Sequence, residues 1–197
     1  MSVTPFQPED RLNMTTHSST SFTTDPHETP ATRFGGVPLP RGLRDDAENM
    51  TWHTFMATYS PVSGPLRLGR FECIDDDRPS TRIGPQARTY EGTFAIGDGI
   101  ETVSVEATGP VAALTAMLFD RGIPVEMVRF HQLQSGDHTA TFIQGSDGEH
   151  LEWAMGWAED KTESMLRAIV ACANRLMSLA WYTEIDPGKK KYVWRRR

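Results

Sequence analysis

The stretch VSVEATGPVAALTAMLFDRGI, Val103 to Ile123, decides the fold. Val103 and Val105 alternate with Ser104 and Glu106, the period of two expected of a half-buried strand. Gly109-Pro110 breaks that strand, and Pro110 suits a first helical turn, where its missing N–H costs nothing. Val111, Leu114, Met117 and Leu118 then recur at helical spacing, and Gly122 supplies the left-handed residue that closes a helix. The reading is a strand, a tight turn and a helix. Such a turn leaves backbone N–H groups free at the positive end of a helix dipole, a place suited to a carboxylate or phosphate. The plainer reading of the same turn is an ordinary connection whose N–H groups meet water.

Working outward, the same order of elements stands on both sides. Upstream, Leu66, Leu68, Arg70, Glu72 and Ile74 face one way and Arg67, Gly69, Phe71 and Cys73 the other, which makes a first strand. Tyr90, Gly92, Phe94 and Ile96 mark a second, ended by the hairpin signal Gly97-Asp98-Gly99; Ile100 to Glu106 is the third. Between the first two, Asp75-Asp76-Asp77 opens a polar loop that lacks the glycine and distal glutamate of a calcium loop. Downstream the strands are Val125–Leu133, Thr139–Gln144 and His150–Trp157, with Arg129-Phe130 echoing Arg70-Phe71 and Thr141-Phe142 echoing Thr93-Phe94. Asp160 and Glu163 then start a second helix in the manner of a capping box, with Leu166, Ile169, Val170, Ala173 and Leu176 or Met177 as its apolar stripe. The predicted fold class is α+β: two tandem βββα units over residues 65–183. Each unit alone would leave a sheet face bare, so the two pack together or against a second chain.

The flanks read differently. Trp52, Phe55, Met56 and Tyr59 lie at i, i+3, i+4 and i+7 and give one apolar stripe to a short linker helix within residues 46–64, ended by Pro61 and Gly64-Pro65. Residues 1–45 are rich in Thr, Ser, Pro, Gly and Asp with no apolar period, and composition predicts disorder there. Residues 184–197 form a basic tail. Its last nine, KKKYVWRRR, hold six positive charges, so a chain of net charge −6 carries −12 before them. An acidic body argues against a nucleic-acid-binding domain and leaves the tail, Lys189 to Arg197, as an anion- or nucleic-acid-binding arm in an alternative reading. With 197 residues, 38% apolar, no run long enough to span a bilayer and no leader pattern, the chain is expected to be cytoplasmic and away from the membrane. Cys73 and Cys172 have no metal-ligand spacing, and Cys172 falls on the inner face of the second helix.

No catalytic set emerges. No His-x-His or His-x-x-x-His pair offers a metal site, and no nucleophile elbow, P-loop or dinucleotide fingerprint is present, so no metal, cofactor or catalytic residue is expected. His131 and His138 flank one loop, without a third ligand. Trp153 and Trp157 share a strand face with Met155 between them and read as core.

TGPVAALTAMLFDRGIPVEMVRF, and then EWAMGWAED running into SMLRAIVACANRL, resemble the C-terminal regulatory (allosteric, dimer) domain of 2-isopropylmalate synthase. That family has a Gly-Asn-Gly-Pro turn before a small-residue helix, and a late Trp-Gly-x-Gly strand before a helix close to Ser-Leu-Arg-Ala-x-Val-x-Ala-x-Asn-Arg. The upstream helix with Trp52, Phe55 and Tyr59, followed by GPLRLGRFE, also resembles the family's segment leading into this domain, so the likeness runs from about Asp46 to Leu176.

The resemblance implies a homodimeric binding domain with a site for leucine. By position it assigns the site to Ala107, Thr108, Gly109, Pro110, Ala112, Met127, Phe130 and Thr139. It also marks departures: Ala107-Thr108-Gly109-Pro110 has lost one glycine and the asparagine, the tyrosine expected near Phe130 has lost its hydroxyl, and Trp-Gly-x-Gly has become Trp153-Ala154-Met155-Gly156. A methyl where backbone approaches a ligand can block binding. The family's catalytic (β/α)8 barrel, which needs about 250 residues, and its metal-binding His-x-His have no counterpart, so the expectation is a stand-alone chain that is not an enzyme. Two functions follow: a non-catalytic domain binding an amino or keto acid, or a ligand-free dimerisation partner that modulates a full-length synthase.

Overall fold

The computed structural model describes residues 28–75 and 86–184. Two antiparallel three-stranded sheets carry the chain. Sheet A has the order β1 (Leu66–Cys73), β2 (Arg88–Ile96), β3 (Gly99–Ala107), and sheet B the order β4 (Glu126–Ser135), β5 (His138–Ser146), β6 (Leu151–Ala158). α4 (Pro110–Phe119) follows the first sheet and α5 (Lys161–Glu184) the second, so the two tandem βββα units are present and packed together. Gly122 adopts φ 70° where the sequence calls for a left-handed residue after α4. Asp160 Oδ1 accepts from the Glu163 N–H at 2.8 Å and starts α5.

One core lies between the units. Phe94 and Tyr90 of β2 meet Leu114, Met117 and Leu118 of α4; Ile143 of β5 and Ala154 of β6 meet Ile169 and Cys172 of α5. Burying each of the larger side chains contributes about 1.5–3 kcal/mol. α5 also reaches sheet A: the buried Asn174 amide accepts from Leu66 N–H at 2.9 Å and donates to Leu66 O at 2.8 Å. This pair joins the last helix to the first strand.

The first strand does not alternate as the sequence pattern predicts. A β-bulge between Leu68 and Phe71 puts Phe71 opposite Gly92, so Leu66, Leu68, Phe71 and Cys73 all turn to the core. One extra residue in a ladder reverses every side chain beyond it. The echo of Thr93-Phe94 in Thr141-Phe142 is likewise out of phase. Phe94 faces α4, whereas Phe142 faces away from α5, and its neighbour Ile143 points to the shared core.

Phe142 faces away because sheet B is covered on both sides. Its outer face packs against α1 (Pro30–Arg33), a 3-10 turn (Arg41–Leu43), α2 (Arg44–Asn49) and α3 (Trp52–Tyr59). Residues 28–45, expected to be disordered, are therefore ordered: Thr29 and Thr32 form a capping box on α1, and Phe34, Leu39 and Leu43 are buried. They show no apolar period because each fills a hole in a wall built by distant residues, Phe142, Met155 and Trp157. Residues 1–27 and 185–197, with the remaining segment expected to be disordered and most of the basic tail, lie outside the described residues. The single linker helix expected between Asp46 and Tyr59 is two, broken at Met50-Thr51, where the Thr51 hydroxyl caps α3. Trp52, Phe55 and Tyr59 are buried as their spacing predicts.

Candidate functional site

The strand-to-helix turn sits at the end of β3. Ala107 is the last strand residue, Thr108 is exposed, and Gly109 takes the N-cap position of α4 with an extended φ of 177°. Pro110 is the first helical residue, and no side chain caps the helix. The Ala113 N–H closes the first helical bond on the Gly109 carbonyl at 2.9 Å. A Cβ built on Gly109 meets nothing within 4 Å, so the space over the turn is open. An uncapped helix start facing open space favours an anion by roughly 0.3–1 kcal/mol, enough to orient a ligand and too little to hold one alone.

The other expected site residues divide. Ala112 lines a cleft of about 530 Å³ between the outer face of α4, the start of β4 and the turn Ser146–Gly148. Glu126 lines the same cleft, one residue before Met127. Met127 and Phe130 lie in register with Gly145 and Ile143, on the side of sheet B that carries α5, and are 36% and 47% exposed. Pro110 opens instead onto a second cleft, between β1 and α5. Thr139 is 1% exposed; its hydroxyl donates to Gln134 Oε1 at 3.1 Å and its carbonyl accepts from Ser164 Oγ at 2.9 Å. Thr139 is a satisfied core residue.

Carboxylates set the electrostatics of the 530 Å³ cleft: Asp120, Glu126 and Asp147 line it, with no basic residue among its lining. Burial works against ionisation of Asp147, but the N–H groups of His150 and Glu149 and the His150 ring hold its carboxyl below the usual range. Asp147 is therefore a turn-forming residue bonded into its own loop. Trp153 and Trp157 pack with the buried cluster beneath α1–α3, as expected of core residues. His131 and His138 do not converge, since their pairs with Phe142 and Ser135 stand four rungs apart on the ladder. Among the described residues no group of three His, Cys, Asp or Glu side chains is placed to hold a metal.

Sequence reasoning missed an assembly on the far side of sheet B. The Arg33 guanidinium lies over the rings of Trp52 and Trp157 at 5.5 and 5.3 Å, and His138 stacks on Trp157 at 5.1 Å. Ser135 Oγ donates to the Arg33 carbonyl at 2.9 Å. Trp157 was the available signal. Its partner Arg33 stood in a segment without periodicity.

Fold and turn together define an α+β domain of two tandem βββα units with an open, uncapped helix start. Over 63% of its length the chain is similar to proteins named 2-isopropylmalate synthase: 28% identical over 135 residues to that of Arthrobacter sp. (strain FB24), 32% over 133 to that of Clavibacter michiganensis subsp. michiganensis, and 35% over 129 to that of Parafrankia sp. (strain EAN1pec). The resemblance read from the residues is thus to this synthase. The chain spans about a fifth of the length of the curated relatives it matches, 22% in each of these three. No family model matches it. No helix among the described residues is long and apolar enough to cross a membrane.

Proposed function

We propose that this chain is a non-catalytic, small-molecule-binding domain of the regulatory kind found in 2-isopropylmalate synthases, homodimeric, taking an amino or keto acid at the Gly109-Pro110 turn. The observation that carries the reading is the uncapped start of α4 facing open space at Gly109, within a chain similar to a fifth of the synthases' length. The ligand's carboxylate would meet the free N–H groups of the first turn, and its aliphatic part the half-exposed Met127 and Phe130. Apolar burial there is worth about 25 cal/mol per Å².

The test is thermal unfolding in the presence of leucine, the other branched-chain amino acids and their keto acids. A ligand at one hundred times its Kd stabilises by about 2.7 kcal/mol, a shift of several degrees. The Gly109→Val variant should fold normally and lose that shift. If no acid of the set raises the midpoint, the chain is a ligand-free partner that pairs with a full-length synthase. If Gly109→Val keeps the shift, the ligand sits elsewhere.

A further inference from the structure

The chain buries two separate apolar clusters. One joins sheet A, α4 and the inner face of sheet B to α5; the other joins α1–α3 to the outer face of sheet B. Residues 60–65 (SPVSGP) run from the second cluster to the first, from the end of α3 to the start of β1. Two successive residues of α5 hold both ends of this connector. Asn174 takes the β1 end, where its buried amide bonds both the N–H and the C=O of Leu66 at 2.9 and 2.8 Å. Arg175 takes the α3 end, where its Nη1 donates to the Thr58 carbonyl. That carbonyl lies in the last turn of α3, where a helix supplies its own C=O groups with no partner. The same guanidinium lies 4.9 Å over the Tyr59 ring and bonds Glu152 of β6 through Nε at 3.1 Å and Nη2 at 2.5 Å. The Tyr59 hydroxyl in turn donates to Asp46 of α2. Burial, and then the Asp46 carboxylate, raise the phenol above its ordinary range and keep it a donor.

We propose that Asn174-Arg175 is a conformational relay: when α1–α3 leave sheet B, β1 is released from α5, and the reverse holds equally. The connector is built to transmit such a movement. Pro61 and Pro65 fix φ at two of its positions. Gly64 is the natural soft joint, yet it passes so close to Asn174 that an added Cβ would stand 2.4 Å from the amide carbon. At the far end the Pro65 carbonyl accepts from the Gly97 N–H at 2.8 Å, which ties the connector to the β2–β3 hairpin. A displaced α3 takes the Thr58 carbonyl and the Tyr59 ring away from Arg175 and leaves it Glu152 alone. The neighbouring side chain on the helix is the amide that holds Leu66. A change at the outer helices is thereby a change at the first strand of sheet A. The relay needs no ligand at the Gly109 turn, so it stands or falls separately from the proposed function.

Native-state amide exchange of the full chain at rising, sub-denaturing urea tests this. Two N–H groups report the two ends: Phe55, bonded to the Thr51 carbonyl at 2.9 Å, and Leu66, bonded to Asn174. In the natural protein their protection should fall together, as one cooperative opening. In Arg175→Met, which keeps an apolar stem and loses the guanidinium, Phe55 should lose at least tenfold more protection than Leu66. Should Arg175→Met not fold, Arg175→Lys replaces it, because a single ammonium cannot hold Thr58, Glu152 and the Tyr59 ring at once. Separate openings of Phe55 and Leu66 in the natural protein would overturn the proposal. So would a common opening retained in the variant, because the coupling would then run through the covalent connector and not through Arg175.

Discussion

Gly156 and Gly109 show how differently two glycines are used. A Cβ on Gly156 would overlap the Ser164 carbonyl and stand 2.5 Å from the Ala168 nitrogen, because α5 lies directly on β6 there. Gly156→Ala must lift the helix off the sheet and should cost about 1–3 kcal/mol or more of stability, read as a lowered urea midpoint. A Cβ added at Gly109 meets nothing within 4 Å and the backbone there is extended, so the midpoint of Gly109→Val should match the natural protein's. The two cysteines divide in the same way. Cys172 is buried, and burial pushes its thiol up to about 12, against the ordinary value of 9. A pKa raised by folding stabilises the native state below the ordinary thiol range and loses that contribution as pH climbs toward 12. At pH 8 a thiol reagent should therefore titrate the half-buried Cys73 and leave Cys172 unreacted until the protein unfolds; two thiols reacting without denaturant would contradict this burial.

At the scale of elements, the legible parts are those whose partners are near in sequence. β3, the turn and α4 follow from local periodicity, and α5 from its stripe and Asp160 cap. The bulge in β1 and the phase of Phe142 are not legible, because both depend on which residue of a distant strand stands opposite. Residues 28–45 escaped for the same reason: their sparse apolar side chains have meaning only against sheet B. Of the candidate site, the uncapped turn was readable from Gly109-Pro110, whereas the burial of Thr139 required the Gln134 and Ser164 contacts. A chain beginning at Asp46 loses Phe34, Leu39 and Leu43 from the outer core and exposes Phe142 and Trp157. Each lost apolar side chain removes about 1.5–3 kcal/mol, so calorimetry should show the midpoint lowered by several degrees. An unchanged midpoint would mean that the α1 segment adds nothing to sheet B.

At the scale of the whole molecule, the two sheets are not equally finished. The outer face of sheet B is covered by α1–α3, and its inner face by α5 over β5 and β6, yet β4 remains an edge strand. Met127, Val128 and Phe130 stand 36%, 50% and 47% exposed along it, and Phe119 is exposed at the end of α4. A long edge strand carrying exposed apolar residues invites pairing with another chain unless something protects it. A second copy is the partner that the proposed regulatory role requires. A two-fold contact would cover the same patch on both chains, and a stable one buries about 1,200–2,000 Å² in total. The expected outcome is a dimer by sedimentation velocity at micromolar concentration. Val128→Lys, placed on the exposed edge where it breaks no core contact, should shift the species toward monomer while leaving thermal unfolding of the monomer intact. A clean monomer of the natural chain, or a Val128→Lys protein that stays dimeric, would remove β4 from the interface.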